Sequence, residues 1–218
     1  MTSSLTTEPL AGILARLYDA DAAGRTGRPR GTGRHHSTTA TAQERADAAS
    51  DIYMPISPDT GRLAYSLIRA SRPAQIVEFG MSYGISTLHL AAAVRDNGVG
   101  HIHTTEMSAK KIAQASATFA EAGIDDLVTV LEGDALTTLG EVTGPIGFVL
   151  LDGWKDLYLP VLTLLEDRLP SGTLVLADNA ESADAMPYLD YVRDPGNGYT
   201  SVNLPGKRHD TIELSCRT

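Results

Sequence analysis

Oxygen-bearing side chains follow two apolar stretches in the second half of the chain. Asp152 and Lys155 stand in FVLLDGWKD after one stretch, and Asp178 and Asn179 stand in TLVLADN at the end of the next. If both stretches are neighbouring parallel strands, these side chains meet at one edge of the sheet. Two carboxylates and an amide oxygen form the hard donor set that suits Mg²⁺ or a similar ion such as Mn²⁺. The alternative is that they are ordinary loop and capping residues.

A turn with two glycines, VEFGMSYGIS (residues 77–86), leads from an apolar stretch into a helical one. Glycines there allow a ligand to approach the backbone, and the helix N-terminus offers free N–H groups. The spacing is G-x-x-x-G, with Glu78 two positions before Gly80, and not the G-x-G-x-x-G that suits a pyrophosphate. A carboxylate there fits the ammonium and sulfonium of S-adenosylmethionine. A tight turn that simply requires glycine is the alternative.

Two further acidic residues follow apolar stretches. Glu106 ends HIHTTE, 22 residues after Gly84. An acidic residue at about this distance accepts hydrogen bonds from ribose hydroxyls in nucleotide-binding α/β folds. Asp134 and Ala135 stand in VLEGDAL, where they could meet the amino group of an adenine. A helix N-cap is the alternative for Glu106 and for Asp134.

The elements that position these residues alternate along the chain. Short apolar runs separated by helical stretches indicate buried parallel strands with right-handed crossovers. The expected strands are residues 75–79, 101–105, 128–131, 148–151 and 173–177, with an antiparallel C-terminal hairpin of residues 199–204 and 211–216. The expected helices are residues 86–95, 108–122, 135–139, 157–168 and 185–192. The sequence therefore predicts an α/β fold with a seven-stranded, mostly parallel sheet and helices on both faces.

The first seventy residues have a different pattern. Apolar residues at helical spacing predict an amphipathic helix over residues 8–22, which either covers its own domain or pairs with a second subunit in a homodimer. Residues 24–34 hold four glycines and four arginines and are expected to form a mobile loop, either a solvated connector or a lid. Further helices are expected at residues 41–52 and 60–70, with Pro55 and Pro58 between them.

Composition excludes several classes of protein. Hydrophobic residues make up 42% of the chain, enough for one well-buried core or at most two small ones. The net charge of −9 argues against nucleic acid as the main partner. No apolar run approaches the roughly 20 residues that span a bilayer, so no membrane partner is expected. With no signal pattern and a single cysteine, Cys216, the cytoplasm is the expected compartment. We predict one domain, residues 1–218, with an N-terminal extension (1–53) and a cofactor-binding and catalytic core (54–218).

Residues 148–179 resemble catechol O-methyltransferase and the wider cation-dependent, S-adenosylmethionine-dependent O-methyltransferases. LLDGWKDLYLP (residues 150–160) and LVLADN (residues 174–179) carry the resemblance. The glycine turn, Glu106 and the upstream YMPISPDTGRL also align, so it covers roughly residues 54–216. It implies a Rossmann-like class I fold. It also implies Lys155 as the base near the attacking hydroxyl and, as metal ligands, Asp152, Asp178 and Asn179.

The same resemblance implies contacts to the cofactor. Glu106 is expected at the ribose, Trp154 against the adenine, and Asp152 also beside the cofactor. The methionine end is expected to be lined by Glu78, Gly80, Ser82, Gly84 and Ser86, with Met54 and Ile56 covering the cofactor. Two departures stand out: Gly153 replaces a histidine, and the hairpin loop Gly206-Lys207-Arg208-His209 offers no acid for a second catechol hydroxyl.

These observations predict a metal-dependent O-methyltransferase that methylates one hydroxyl of a catechol-like small molecule, such as a natural-product intermediate. A divalent ion would acidify the hydroxyl, and its oxygen would attack the methyl group in line with the sulfur. The cationic hairpin loop predicts an acidic acceptor, unless it only solubilises the hairpin tip. The alternatives are N-methylation of a small molecule and a catalytically silent S-adenosylmethionine-binding partner protein. The metal-ligand set together with Lys155 argues against the silent protein.

Overall fold

The computed structural model describes residues 2–26, 40–206 and 210–218. A seven-stranded sheet lies at the centre of the molecule. The sheet order is β3-β2-β1-β4-β5-β7-β6. Strands β1 to β5 are parallel, and β7 is antiparallel to both β5 and β6. The strands are β1 (Gln75–Phe79), β2 (His101–Glu106), β3 (Val128–Glu132), β4 (Phe148–Leu151), β5 (Leu174–Asp178), β6 (Tyr199–Pro205) and β7 (Thr211–Arg217).

Helices cover both faces of the sheet. Because side chains alternate between the faces of a strand, neighbours such as Ile76 and Val77 belong to different hydrophobic clusters. Helices α1, α3, α4 and α5 pack on one face, and α6, α7 and α8 on the other. The helices in the described ranges are α1 (Leu10–Thr26), α2 (Ala42–Ala48), α3 (Pro58–Ser71), α4 (Ile85–Asn97), α5 (Ala109–Ala122), α6 (Ala135–Thr138), α7 (Tyr158–Leu165) and α8 (Met186–Arg193).

The predicted fold class is confirmed. All seven strands lie within one residue of their predicted bounds, and the C-terminal hairpin closes one side of the sheet. The order of the strands reverses between β1 and β4, which are neighbours in the sheet. In open α/β sheets a crevice for ligands forms outside the carboxyl ends of the strands at such a reversal. The candidate side chains lie at this place.

The N-terminal region differs from the prediction in detail. Helix α1 continues to Thr26, so the expected loop does not begin at Gly24. One glycine costs a helix only about 1 kcal/mol relative to alanine, too little to end it. Residues 27–34 of the expected loop lie outside the described residues. The apolar side chains of α1 are buried in the core of the same chain, so the helix covers its own domain.

Two helix boundaries follow from capping. The predicted helix at residues 60–70 begins earlier, at Pro58, because proline is well suited to the first turn and the Ser57 side chain accepts a hydrogen bond from the Thr60 N–H. The predicted helix at residues 41–52 is shorter: a capping box formed by Thr41 and Glu44 fixes its start, and α2 ends at Ala48. Within the described ranges, no helix combines the length and the apolarity that a bilayer crossing requires.

Candidate active site

A cavity of about 910 Å³ lies at the carboxyl ends of the parallel strands. Residues that follow each of β1 to β5 contribute to its wall, and α2 and the segment after it cover one side. This volume is in the range of small-molecule and cofactor sites. Ten of the predicted site residues line it: Met54, Gly80, Ser82, Glu106, Asp134, Ala135, Asp152, Trp154, Lys155 and Asn179.

The turn after β1 brings two backbone segments into close approach. Gly80 has φ +97°, and a Cβ atom there would lie 2.6 Å from the Cα of Gly153. A Cβ atom on Gly153 would in turn lie 2.5 Å from the Phe79 ring. Side chains at these positions would therefore displace the strand ends or the cavity wall. This packing leaves no room for a side chain at Gly153.

Glu106 is held in one orientation by backbone donors. Its Oε2 accepts a hydrogen bond from the Ser82 N–H at 2.9 Å, and its Oε1 accepts from the N–H groups of Met107 and Ser108, each at 2.9 Å. The N-cap of α5 is Ser108, so capping does not account for Glu106. A fixed carboxylate that lines the cavity is well placed to accept hydrogen bonds from a diol.

Asp134 both caps a helix and lines the cavity. Its side chain accepts a hydrogen bond from the Leu136 N–H at 2.9 Å at the start of α6. The capping interpretation is therefore correct for this residue. Ala135 beside it also contributes to the wall, and an adenine-side role for the pair stays a prediction.

The other predicted site residues lie behind the wall of the main cavity. Glu78 is fully buried, and its Oε2 accepts hydrogen bonds from the hydroxyls of Thr87 and Thr104 at 2.5 Å each. Burial raises the pKa of Glu78. Gly84, the N-cap of α4, has φ +82°, and a Cβ atom there would lie 2.6 Å from the Phe119 ring. The remaining three are also buried: Ile56, Ser86 and Asp178.

A buried tyrosine joins the segments after β4 and β5. The Lys155 Nζ donates to the Tyr158 hydroxyl at 2.6 Å and to Asp152 Oδ1 at 3.3 Å. The Tyr158 hydroxyl donates to the backbone carbonyl of Asp178 at 2.8 Å. Burial holds the pKa of Tyr158 well above its ordinary value, so the hydroxyl stays protonated. The lysine is thus fixed between two residues of the predicted metal set.

Asp156 does not join this group. The sequence places it beside Lys155, but its carboxylate pairs with the guanidinium of Arg45 at 3.1 Å. The same guanidinium lies 5.0 Å from the centre of the Trp154 ring. A cation–π contact and an ion pair therefore tie α2 to the wall of the cavity.

The predicted metal ligands come from neighbouring strand ends. The parallel register of β4 and β5 pairs Leu151 with Ala177, so Asp152 and Asp178 follow at equivalent positions. Asn179 has φ +57°, and its side-chain N–H₂ donates to the carboxylate of Asp210. Among the described residues, no group of three or more His, Cys, Asp or Glu side chains is arranged to hold a metal. The predicted set has only two such side chains and an amide, so its metal stays a prediction.

Sequence reasoning missed several residues of the wall. Lys111 lies on the buried face of α5 together with Ala115 and Phe119. A lysine at an apolar helical position is a visible signal that could have identified it. Arg45 and Tyr53 had no comparable signal, because long-range packing brings them to the cavity. The Tyr53 ring stacks on that of Tyr83, with ring centroids 4.2 Å apart.

The doubly wound sheet, the glycine turn and the fixed acid after β2 together define an α/β protein of the class that binds a nucleotide-type cofactor. Residues 77–180 match a family described as a methyltransferase domain. The chain is 32% identical over 149 residues to the probable O-methyltransferase Rv1703c of Mycobacterium tuberculosis, an alignment that covers 63% of each protein. It is 29% identical over 150 residues to the catechol O-methyltransferase of Sus scrofa, covering 66% of this chain and 80% of the relative.

Solved structures share the fold. The O-methyltransferase from Bacillus cereus, determined in complex with SAH, superposes with a TM-score of 0.71 at 20% identity, covering 99% of this chain and 94% of that one. The O-methyltransferase TomG from Streptomyces achromogenes, determined with SAM, gives a TM-score of 0.68 at 22% identity, with coverages of 94% and 98%. The chain is therefore similar in sequence and in fold to O-methyltransferases, catechol O-methyltransferases among them. The resemblance inferred from the sequence is confirmed.

Proposed function

We propose that this protein transfers the methyl group of S-adenosylmethionine to an oxygen atom of a small molecule. One observation supports this proposal most: a single cavity holds both the fixed carboxylate of Glu106 and the amine of Lys155, which contacts Asp152 and the Tyr158 hydroxyl. The matching relatives are named as O-methyltransferases, which supports the reaction type.

The cofactor would lie along the carboxyl ends of β1 to β4. Glu106 would accept hydrogen bonds from the ribose hydroxyls, and Asp134 with Ala135 would face the adenine. The backbone at Gly80 would lie against the methionine part, since no side chain intervenes there. The Trp154 ring would close the adenine side, where Arg45 holds it in place.

Lys155 would take the proton from the acceptor hydroxyl. Its Nζ is a partly buried amine that lines the cavity and is directed by Tyr158 and Asp152. A positioned proton acceptor at this point lets the oxygen attack while the cavity wall aligns it with the methyl group. The neutral amine would take the proton, the carbon–oxygen bond would form as the bond between the methyl carbon and the sulfur breaks, and the products would be a methyl ether and S-adenosylhomocysteine.

A divalent cation fits the donor chemistry at this edge. Asp152, Asp178 and Asn179 would hold it, because their oxygens are the hard ligands that Mg²⁺ or Mn²⁺ prefers. The Asn179 amide nitrogen donates to Asp210, so its oxygen is the atom left to face a cation. When bound, the ion would supply Lewis acidity that lowers the pKa of the acceptor hydroxyl.

The acceptor class is an aromatic diol. The catechol O-methyltransferases among the relatives support it, as does the placement of the donor set beside Lys155. The cationic hairpin residues that predicted an acidic acceptor, Lys207, Arg208 and His209, lie outside the described residues. A preference for an acidic diol therefore stays a prediction.

A product-resolved assay tests the proposal. The purified protein is incubated with S-adenosylmethionine and either 3,4-dihydroxybenzoate or dopamine, with Mg²⁺ or with a chelator, and the products are identified by mass spectrometry. We expect a monomethyl ether that forms only with the metal. An N-methylated amine would contradict oxygen transfer, and cofactor binding without turnover on any diol would favour a silent binding protein. Equal turnover with the chelator would contradict the role of the cation.

A further inference from the structure

Lys111 is a buried cation that the proposed chemistry does not use. It is only 2% exposed, yet it lines the cavity. Its Nζ lies 5.6 Å from the centre of the Tyr83 ring, on the turn that follows β1. Among residues 2–26, 40–206 and 210–218, no hydrogen bond or ion pair satisfies this ammonium group.

The position is electrostatically unfavourable for a lysine. Lys111 is the third residue of α5, where the free N–H groups of the helix already carry partial positive charge. Burial lowers the pKa of Lys111, while the charges of Glu106 and Asp152 act in the opposite direction. Glu106 acts on Lys111 through its charge, but three backbone N–H groups orient its carboxylate, and no ion pair joins the two side chains within the described residues. A buried cation without a close partner is costly unless a ligand supplies one.

The other cations in the described wall already have anionic partners. Arg45 pairs with Asp156 at 3.1 Å, and Lys155 pairs with Asp152 at 3.3 Å. Among the described cations that line the cavity, Lys111 is therefore the one that is not paired with an anionic side chain. A ligand that fills this cavity should bring a negative group close to the Tyr83 side of the turn.

We propose that Lys111 binds the carboxylate of the methionine part of S-adenosylmethionine. This inference rests on the proposed function, which supplies the ligand. At neutral pH the cofactor carries one anionic group, its carboxylate, while its ammonium and sulfonium are cationic and its adenosine is neutral. The carboxylates of Glu106 and Asp152 suit the cationic and neutral parts of the cofactor. The cofactor's own carboxylate is therefore the group that matches Lys111. A charge-assisted hydrogen bond between them would contribute to affinity.

Two nucleosides that differ in the amino-acid part test this assignment. S-adenosylhomocysteine has the carboxylate, whereas 5′-methylthioadenosine lacks the whole amino-acid group. Calorimetry on the full chain gives Kd for both ligands in the wild type and in Lys111→Met. We expect the variant to bind S-adenosylhomocysteine about 10- to 100-fold more weakly, the scale of one lost charged hydrogen bond, and to bind 5′-methylthioadenosine unchanged.

Lys110→Met is the matched control. Lys110 is the adjacent lysine on the same helix, but its side chain is 52% exposed and pairs with Asp51 on the surface. We expect this variant to bind both nucleosides like the wild type. Lys111→Arg keeps the charge and should retain most of the discrimination between the two ligands. Thermal unfolding of Lys111→Met checks that the fold is intact.

The outcomes separate the alternatives. Equal weakening of both nucleosides in Lys111→Met would place the residue at the nucleoside or in the fold, and unchanged binding of both would remove it from the site; either result overturns the assignment. Failure of the proposed function is distinct: if the protein used another cofactor, the wild type would bind neither nucleoside, and if it only bound this cofactor, both nucleosides would bind but no methyl ether would form in the turnover assay.

Discussion

Lys155 depends on a buried tyrosine for its position. The Tyr158 hydroxyl bridges the lysine and the main chain of Asp178, so it joins the proposed base to the end of β5. Tyr188 provides a matched comparison, since it is equally buried and packs edge-on against Tyr158 with ring centroids 5.7 Å apart. The hydroxyl of Tyr158 is thus the feature that can be tested apart from aromatic packing.

We expect Lys155→Met to lower kcat by about 10²-fold, the usual scale for a positioned proton-transfer group. Tyr158→Phe should lower kcat by about 10-fold, because it removes one charged hydrogen bond that directs the amine. The KM for S-adenosylmethionine should change little in both. Steady-state kinetics at saturating metal measures this split, with Tyr188→Phe as the control. Equal losses in Tyr158→Phe and Tyr188→Phe would show that packing, and not the bridge, supports the reaction.

The sequence predicted those site residues that stand directly after strands. Gly80, Glu106, Asp152 and Asn179 all line the cavity because strand ends fix where such residues lie. Contacts that depend on how distant elements pack could not be predicted in this way. The pairing of Asp156 with Arg45 joins positions 111 residues apart, and no local pattern encodes it.

Among the elements, helix α1 shows how the N-terminal segment is held. Leu10, Ile13 and Leu14 are buried in the same cluster as residues of α4 and the sheet. The periodicity of the apolar residues predicted this helix, but its end could not be predicted, because neighbouring turns compensate for a single glycine. Whether the chain also forms a homodimer stays a prediction.

Shortening one buried side chain of α1 tests this packing. We expect Leu14→Ala to lower the free energy of unfolding by about 2–5 kcal/mol, since it leaves a cavity in the core. Arg16→Ala should change it by less than about 1 kcal/mol, because its ion pair with Glu121 is exposed. Urea unfolding at two protein concentrations measures both variants. A midpoint that rises with concentration would mean that subunit association also contributes to the stability that α1 provides.

At the scale of the whole molecule, His89 is buried where helices α1, α3 and α4 meet. His89 on α4 is 4% exposed, and one ring nitrogen lies 3.2 Å from the hydroxyl of Tyr18 on α1. The His89 ring also packs against Gly61 of α3. A Cβ atom on Gly61 would lie 2.5 Å from the ring atom Nε2 of His89. Burial, together with the charge of Arg62, lowers the pKa of His89 to about 4. The side chain is therefore neutral in the folded protein near neutral pH.

This histidine should make the stability of the fold depend on pH. The ordinary pKa of a histidine in an unfolded chain is about 6.5, so as the pH falls through this value the unfolded chain binds a proton before the folded protein does. Stability is then lost between pH 6.5 and about 4, with about 2 kcal/mol lost between pH 7 and pH 5.

Urea unfolding of the wild type and of His89→Phe at pH 7 and at pH 5 measures the effect. The variant keeps an aromatic ring but cannot titrate, and groups such as Glu78 titrate alike in both proteins. We expect the free energy of unfolding to fall by about 2 kcal/mol less in the variant than in the wild type. The same fall in both proteins would show that His89 takes up its proton without loss of the fold.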